Sequence, residues 1–323
     1  MKAAINTRGE NGNTLTIQDV PEPIAGPNEI LIGVKAVGLN RADLSRGISN
    51  PDKPTANIAG IEMTGDVIAV GPGVTNFAVG DRVMSMAGKS YAEKCVADAS
   101  VAMKIPGGLD YVAAAAIPTF FSTAHDAIVT NGEFRKGDAV LIQGVTAGVG
   151  IAMVQVAKAM GASVVAGTSR DAEKLSRIKH FGLDIGIRSG HDKTADVCME
   201  ATAKRGMNVI IDNVGKGVLA DNLDAAAIKG RIVSVGRLAG KMDEIDLDKL
   251  ALKRLKLIGV TFRTRSAEEK AEITRRLVAD LGYLFVSGAI HPPVDRTFAF
   301  DEALAAQEYM RSNKHIGKIV LTL

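Results

Sequence analysis

The chain has no tryptophan, two cysteines and few aromatic residues. Cys95 and Cys198 are too few for a disulfide framework or a cysteine-rich zinc knuckle. They fit a reducing compartment and read as small buried hydrophobes. With aromatics at 4% there is no basic–aromatic stripe, and a net charge of +3 is too slight to recruit nucleic acid, so no nucleic-acid partner is expected. The opening MKAAINTRGENGN turns polar before an apolar leader core could form, and the closing GKIVLTL carries no lipidation box. Cytoplasmic location is the expectation. Long apolar runs are scarce too. The one stretch that reads as a membrane candidate, residues 139–170, is interrupted by Gln143, Thr146, Gln155 and a glycine cluster, which weaken a continuous spanning helix.

What is present is a chain of 323 residues, long enough for two domains, with the 46% hydrophobic content of an ordinary soluble enzyme. Before residue 120 the chain alternates short β segments (KAAIN, TLTIQDV, EILIGVKAVGLN, MTGDVIAVG, DRVMSM, AEKCVAD) with Gly/Pro turns. From about 120 to 260, strands and helices alternate, which implies a parallel sheet with helices on both faces. Helices are expected over 171–182, 193–203, 218–230, 266–283 and 300–312, with strands at 184–188, 208–214 and 231–236. No internal repeat is visible.

Residues 139–170 divide into strand AVLIQ (139–143), turn GVTAG (144–148), helix VGIAMVQVAKAMG (149–161) and strand ASVVAGT (162–168). A Rossmann unit needs this order, with small residues in the turn so that a dinucleotide pyrophosphate can reach the helix N-terminus. Of the usual G-x-G-x-x-G, only the third glycine is kept, at Gly150, which packing of helix on strand would also explain. The end of the second strand selects the cofactor. An NAD site places an acidic residue there, whereas this chain has Gly167-Thr168-Ser169-Arg170, with Lys174 one turn on. Arg170 offers a fork to a phosphate and Lys174 a point charge, so NADPH is expected. Asp171 and Glu173 weigh the other way unless they serve the N-terminus of the next helix.

The chain resembles the zinc-free quinone oxidoreductases of the medium-chain dehydrogenase/reductase superfamily. The likeness lies in LNRADL (39–44), GIEMTGDVIAVGPGV (60–74), GDRV (80–83), AAAIPTFFSTAHDAI (114–128), KGDAVLIQG (136–144), GRIVSVG (230–236), LIGVTFRTR (257–265) and NKHIGKIVL (313–321). The first and last blocks are most like the p53-inducible type and the middle is like the ζ-crystallin type. The resemblance implies an α/β protein in which 1–119 and 266–323 form a GroES-like β-rich catalytic domain and 120–265 a Rossmann domain, with nicotinamide in the cleft separating them. By position, Ala147, Gly148, Val149 and Gly150 would meet the phosphates. Thr168, Ser169, Arg170 and Lys174 would meet the 2′-phosphate, with Ser189 near the ribose or adenine. Asn213, Val214, Val235, Gly236 and Arg237 would follow the dinucleotide. Phe262, Arg263, Asn313 and Lys318 would approach the nicotinamide, and Asn40, Thr123 and His125 would line the reacting end. Plainer roles stand beside some of these: core packing for Phe262 and His125, a partner-binding strand face for Arg263 and Arg265, and a local turn for Asp43.

Zinc-dependent members carry a Cys in the block matching GLNRAD and a His in that matching GIE. Asn40 and Ile61 stand there instead, so no metal is expected, and Glu62 reads as a hydrogen-bonded structural carboxylate. Several quinone reductases place a tyrosine where this chain has Ser45. Beside Ile48 and the loop 49–57, Ser45 is expected to leave room for a larger acceptor, and Ser45→Tyr to favour small planar quinones. The resemblance thus implies NADPH-dependent reduction of a quinone or α,β-unsaturated carbonyl, in which Asn40 could donate a hydrogen bond to the developing oxyanion. Catalytic candidates are Asn40, Ser45 and Thr123. Two alternatives stand: a reductase for a dedicated acrylate or enoyl thioester, where Arg263, Arg265, Arg275 and Arg276 could serve CoA, and a non-catalytic NADPH-binding, RNA-binding or crystallin-like protein. Segment 254–265 reads as the last strand of the Rossmann sheet. Relatives pair such edges across a two-fold axis, so a homodimer is expected.

Overall fold

The structure is a computed structural model that describes residues 1–9, 12–45, 55 and 57–323, with the backbone alone at 8, 9, 12, 13 and 45. The Ser45 side chain, Ile48 and most of the loop 49–57, which the sequence linked to acceptor choice, lie outside the described residues. In chain order the strands are β1 (Lys2–Gly9), β2 (Gly12–Asp19), β3 (Glu29–Gly38), β4 (Met63–Val70), β5 (Arg82–Ser85), β6 (Lys94–Asp98) and β7 (Ala102–Lys104), followed by β8 (Ala139–Gln143), β9 (Val164–Ser169), β10 (Ile185–Arg188), β11 (Met207–Asp212), β12 (Ala226–Ser234), β13 (Lys256–Gly259), β14 (Val294–Ala299) and β15 (Lys318–Thr322). The chain forms two compact units, Met1–Thr119 with Ser266–Val286 and Pro292–Leu323, and Phe120–Arg265 with Ser287–His291. Residues 287–291 join the second unit because the Gln155 side chain clasps the His291 backbone, donating to its carbonyl and accepting from its N–H.

The first unit is β-rich and GroES-like. Its main sheet runs β14–β15–β3–β4–β5–β7, with β6 also on β3. The antiparallel pairing of β15 with β3 brings the last strand into the sheet built by the first part of the chain, while β1 and β2 form a separate two-stranded sheet. Alternate residues of β3, among them Ile30, Ile32 and Val34, face a core shared with Val67, Val83 and Tyr91. The helix Ala303–Arg311 buries Ala303, Ala306, Gln307 and Met310, a one-face helical spacing, and Ala303, Ala306 and Met310 join the same core.

The second unit is a parallel sheet of order β10–β9–β8–β11–β12–β13. Counted from β8, this is the Rossmann order 3-2-1-4-5-6, and it reverses between β8 and β11, where such sheets bind ligands. Every residue of β8 is buried, which a strand covered on both faces requires. The run 139–170 is strand, turn, helix Gly148–Ala159 and strand, as read from the sequence.

Three readings are corrected. The helix expected over 218–230 stops at Ala225 and β12 begins at Ala226. The Lys253 ammonium donates to the carbonyls of Leu223, Asp224 and Ala226, so a distant side chain ends the helix and hands the chain to the sheet. The strand expected over 254–265 is four residues long, because Arg265 turns back to bond Thr261 O and pair with buried Asp126. Finally, 139–170 is not the sole membrane candidate. The helical stretch Tyr111–Asn131 is long and apolar enough to cross a membrane, but 67% of its apolar window is buried inside the fold.

Candidate active site

In the second unit, the predicted nucleotide residues come together along the carboxyl ends of the strands. After β8 the chain turns through Gly144 at φ 70°, a left-handed conformation that favours glycine. Ala147 is the helix N-cap and supplies no side-chain acceptor. The first helical hydrogen bond is Ile151 N–H to Ala147 O, so the N–H groups of Gly148, Val149 and Gly150 point out of the N-terminus with the helix dipole behind them. A Cβ on Gly150 would lie 2.5 Å from Val145 O, and one on Gly167 would lie 2.6 Å from Val145 Cβ. Both glycines are therefore needed for the turn to lie flat between helix and second strand. These uncapped donors on a closely approached turn fit a dinucleotide pyrophosphate.

At the end of β9 the Thr168 hydroxyl donates to Gln143 Oε1 at 2.6 Å and accepts from Gly144 N–H. It locks the turn and is spent there, so it is not the phosphate donor expected. Ser169 Oγ lies 3.0 Å from Thr146 Oγ1. Arg170 is exposed. Asp171, the acidic residue that could have marked an NAD site, is the N-cap of the helix Ala172–Arg177 and accepts from Lys174 N–H. Ser189 stands next to this corner, its N–H donating to Ser169 O.

The end of β11 is organised by a residue the sequence reading passed over. Asp212, 5% exposed, accepts from Val214 and Gly215 N–H at 2.8 and 2.9 Å and so shapes the turn carrying Asn213 and Val214. Burial raises its carboxyl above the ordinary value of 3.8, against the pull of those two hydrogen bonds. The only signal was an acid closing the apolar run NVIID. Val235 and Gly236 N–H both donate to Asp212 O, and a Cβ on Gly236 would meet Asn213 O at 2.4 Å, so the β11 and β12 ends are interlocked. Arg237 is exposed, its guanidinium donating to Val235 O.

After β13, Phe262 and Arg263 lie in a turn, not on a strand face, so the proposed pair of arginines on one strand does not form. Phe262 is half-exposed rather than core, with the Arg265 guanidinium 5.7 Å from its ring centre. Thr123 is half-buried, and His125 is buried, on the helix Pro118–His125.

The first unit holds a buried charged cluster at the end of β3. Lys318, fully buried, pairs with Glu62 and donates to Asn40 Oδ1 and Leu39 O at 3.0 and 3.3 Å. Burial pulls its ammonium below the ordinary lysine value, against the charge of Glu62. Its N–H groups are thus directed to protein acceptors, and the expected nicotinamide contact has no donor left. Asn40 is committed in the same way. Its amide donates to Glu62 Oε1 at 2.7 Å and Gly38 O at 3.3 Å, which removes the oxyanion role from that side chain. Glu62 Oε2 also accepts from Thr119 N–H, so the carboxylate is the hydrogen-bonded structural group read from the sequence. Asp43 holds the local turn by accepting from Asn40 N–H and the Tyr91 hydroxyl, and burial beside that carboxylate raises the Tyr91 phenol. Asn313, at φ 58°, accepts from Arg41 next to Asn40, so Asn313 and Asn40 share one corner. The sequence signal for the pair was a lysine heading the apolar run KIVLTL.

Both cysteines are buried, their thiols pushed up to about 12 by burial, so neither is a ready nucleophile. Among the described residues, no group of three or more His, Cys, Asp or Glu could hold a metal ion.

Residues 26–129 match the alcohol dehydrogenase GroES-like domain family, and 148–279 match the zinc-binding dehydrogenase family. The chain is 29% identical to quinone oxidoreductase-like protein 2 of Rattus norvegicus, covering 100% of this chain and 92% of that one. It is 30% identical to a 2-haloacrylate reductase from a Burkholderia species, covering 99% and 98%. A mycobacterial protein solved in complex with NADPH superposes with a TM-score of 0.86 at 28% identity over 100% of both chains.

Proposed function

The chain belongs to the medium-chain dehydrogenase/reductase superfamily, and from that premise we propose an NADPH-dependent reductase of quinones or α,β-unsaturated carbonyls that works without zinc. The observation that carries the cofactor reading is the end of β9. Ser169 and Arg170 are placed there, while the nearest acid, Asp171, is committed to its own helix. Likeness to a protein solved with NADPH supports it.

Bound NADPH supplies a hydride to an electron-poor carbon or oxygen. The chain's part is positioning. Backbone N–H groups of Gly148, Val149 and Gly150 hold the pyrophosphate. Ser169, Arg170 and Lys174 hold the 2′-phosphate, with Ser189 beside the ribose. Asn213, Val214, Val235, Gly236 and Arg237 follow the dinucleotide, and Phe262 and Arg263 take its nicotinamide end. With Asn40 spent on Glu62, Thr123 carries the polar role at the reacting end. Metal independence rests on Asn40 and Ile61 supplying neither thiolate nor imidazole, and on Glu62 being neutralised by the Lys318 ammonium.

A second reading, reduction of an activated acrylate, is favoured by the likeness to a 2-haloacrylate reductase. Turnover separates the two: NADPH consumption with 1,4-benzoquinone, 9,10-phenanthrenequinone, 2-cyclohexenone and a 2-haloacrylate, each with and without chelator. Quinone or enone turnover indifferent to chelation is expected. Turnover of the haloacrylate alone would select the second reading, and activity lost to chelation and restored by zinc would overturn metal independence.

A further inference from the structure

We infer that Arg188, at the carboxyl end of β10, is a second guanidinium for the 2′-phosphate and works with Arg170 to set the preference for NADPH; this rests on the cofactor reading above. Strand register places it. In the parallel pairing of β10 with β9, Arg188 stands opposite Ser169 and Gly186 opposite Gly167. Residues opposed in register project to the same face of a sheet. On β9 that face is marked by Ser169 Oγ, which meets Thr146, and by Gly167, whose Cβ position meets Val145, both in the turn before the nucleotide helix. On β10 it is marked by Gly186, whose Cβ position meets Leu175 of the helix that also carries Lys174. Arg188, two residues beyond Gly186, therefore emerges on the face that holds Thr146, Ser169 and the helix Ala172–Arg177. Ile187 between them points the other way, into the core.

The charges around it leave Arg188 for a ligand. Its guanidinium makes no hydrogen bond or ion pair among the described residues, and the same holds for Arg170. Among the described residues, three of the nearby acids, unlike Glu173, have partners within the fold. Asp171 caps its helix, Asp192 accepts from the Arg188 backbone N–H at 2.6 Å, and Asp184 pairs with Lys158 at 2.6 Å and accepts from Val165 N–H. Strands paired in a sheet lie about 4.8 Å apart. Two long cationic side chains thus stand at adjacent strand ends on either side of Ser169, where the acid that follows along the chain, Asp171, is committed to capping its helix. A phosphate dianion matches that arrangement, since each guanidinium can fork onto two of its oxygens. The competing use of Arg188, stacking flat on the adenine ring, would serve NADPH and NADH alike.

The test is nucleotide affinity of the intact protein, measured by fluorescence titration with NADPH and NADH and by competition with 2′,5′-ADP and 5′-AMP. Arg188→Ala should weaken NADPH and 2′,5′-ADP by about tenfold or more, the scale of a lost charge-assisted hydrogen bond, and leave NADH and 5′-AMP unchanged. Arg188→Lys, which keeps the charge but not the fork, should fall between. Unfolding midpoints of both variants should match the wild type, as expected for an exposed side chain. Equal loss for the phosphorylated and unphosphorylated probes would overturn the assignment in favour of stacking, and no loss for any probe would overturn it outright. A wild type that binds NADH as tightly as NADPH would sink the cofactor reading itself. A wild type that prefers NADPH, with Arg188→Ala retaining that preference, would sink only the role of Arg188.

Discussion

Arg170 and Lys174 are asked to distinguish two cofactors that differ by one phosphate, so their replacement should be selective. Changing both to Ala should cost NADPH about 1–3 kcal/mol more than NADH, the range for hydrogen bonds to a charged group, in a binding titration. Asp212 gives a prediction of another kind. The folded protein holds its proton at higher pH than the unfolded chain does. Its contribution to stability is therefore full below the ordinary value of 3.8 and is lost as pH rises through the raised one. Asp212→Asn keeps an oxygen for Val214 and Gly215 N–H while removing the ionisation. It should flatten the fall in stability on the alkaline side of that value, as measured by denaturant unfolding across pH. The Lys318–Glu62 pair sits where both partners are fully buried. Glu62→Gln or Lys318→Met alone should destabilise by about 3–5 kcal/mol, because each leaves an uncompensated buried charge, and the double variant should recover much of the loss. Glu62 was read as a hydrogen-bonded structural carboxylate, as found, whereas Lys318 was not read as its partner. Lys318 looked like a ligand because it and Glu62 are far apart along the chain, and the pairings of β15 with β3 and of β3 with β4 bring them together.

Among the elements, the turn between β8 and the helix Gly148–Ala159 was the most legible, because its strand, small residues and apolar helix follow one another and each obeys a local rule. Gly150→Ala tests the close packing of that turn. With Val145 O only 2.5 Å from the added methyl, the turn must shift. A loss of about 1–3 kcal/mol in stability is expected from such overpacking, along with weaker nucleotide binding. The elements that were misread failed where a distant group overrode local preference. The alanine-rich 218–230 has helical composition, yet three carbonyls near Ala225 are held by Lys253. The apolar alternation of 254–265 has strand composition, yet Arg265 leaves the sheet for Asp126. The basic corner was legible in Thr168-Ser169-Arg170, but Thr168 proved to be a lock on Gln143, and Arg188 came into view only through strand register.

For the whole molecule, we propose a homodimer through the β13 edge. Among the described residues that strand pairs only with β12, and Leu257 on it and Leu252 before it are 47% and 73% exposed. An exposed apolar edge invites a second copy, and two-fold closure is its commonest resolution. Light scattering at micromolar concentration should report a dimer and Leu257→Asp a monomer; a monomeric wild type would contradict the proposal. The account as a whole depends on hydride transfer from NADPH to an acceptor, organised by the strand ends of the parallel sheet. The most direct measurement is the oxidation of NADPH and of NADH by 9,10-phenanthrenequinone under identical conditions, followed through the absorbance of the reduced nicotinamide. The account predicts turnover with NADPH at a kcat/KM about tenfold or more above that with NADH, the equivalent of one lost charged contact. Equal rates with the two cofactors, or oxidation of neither, would contradict it.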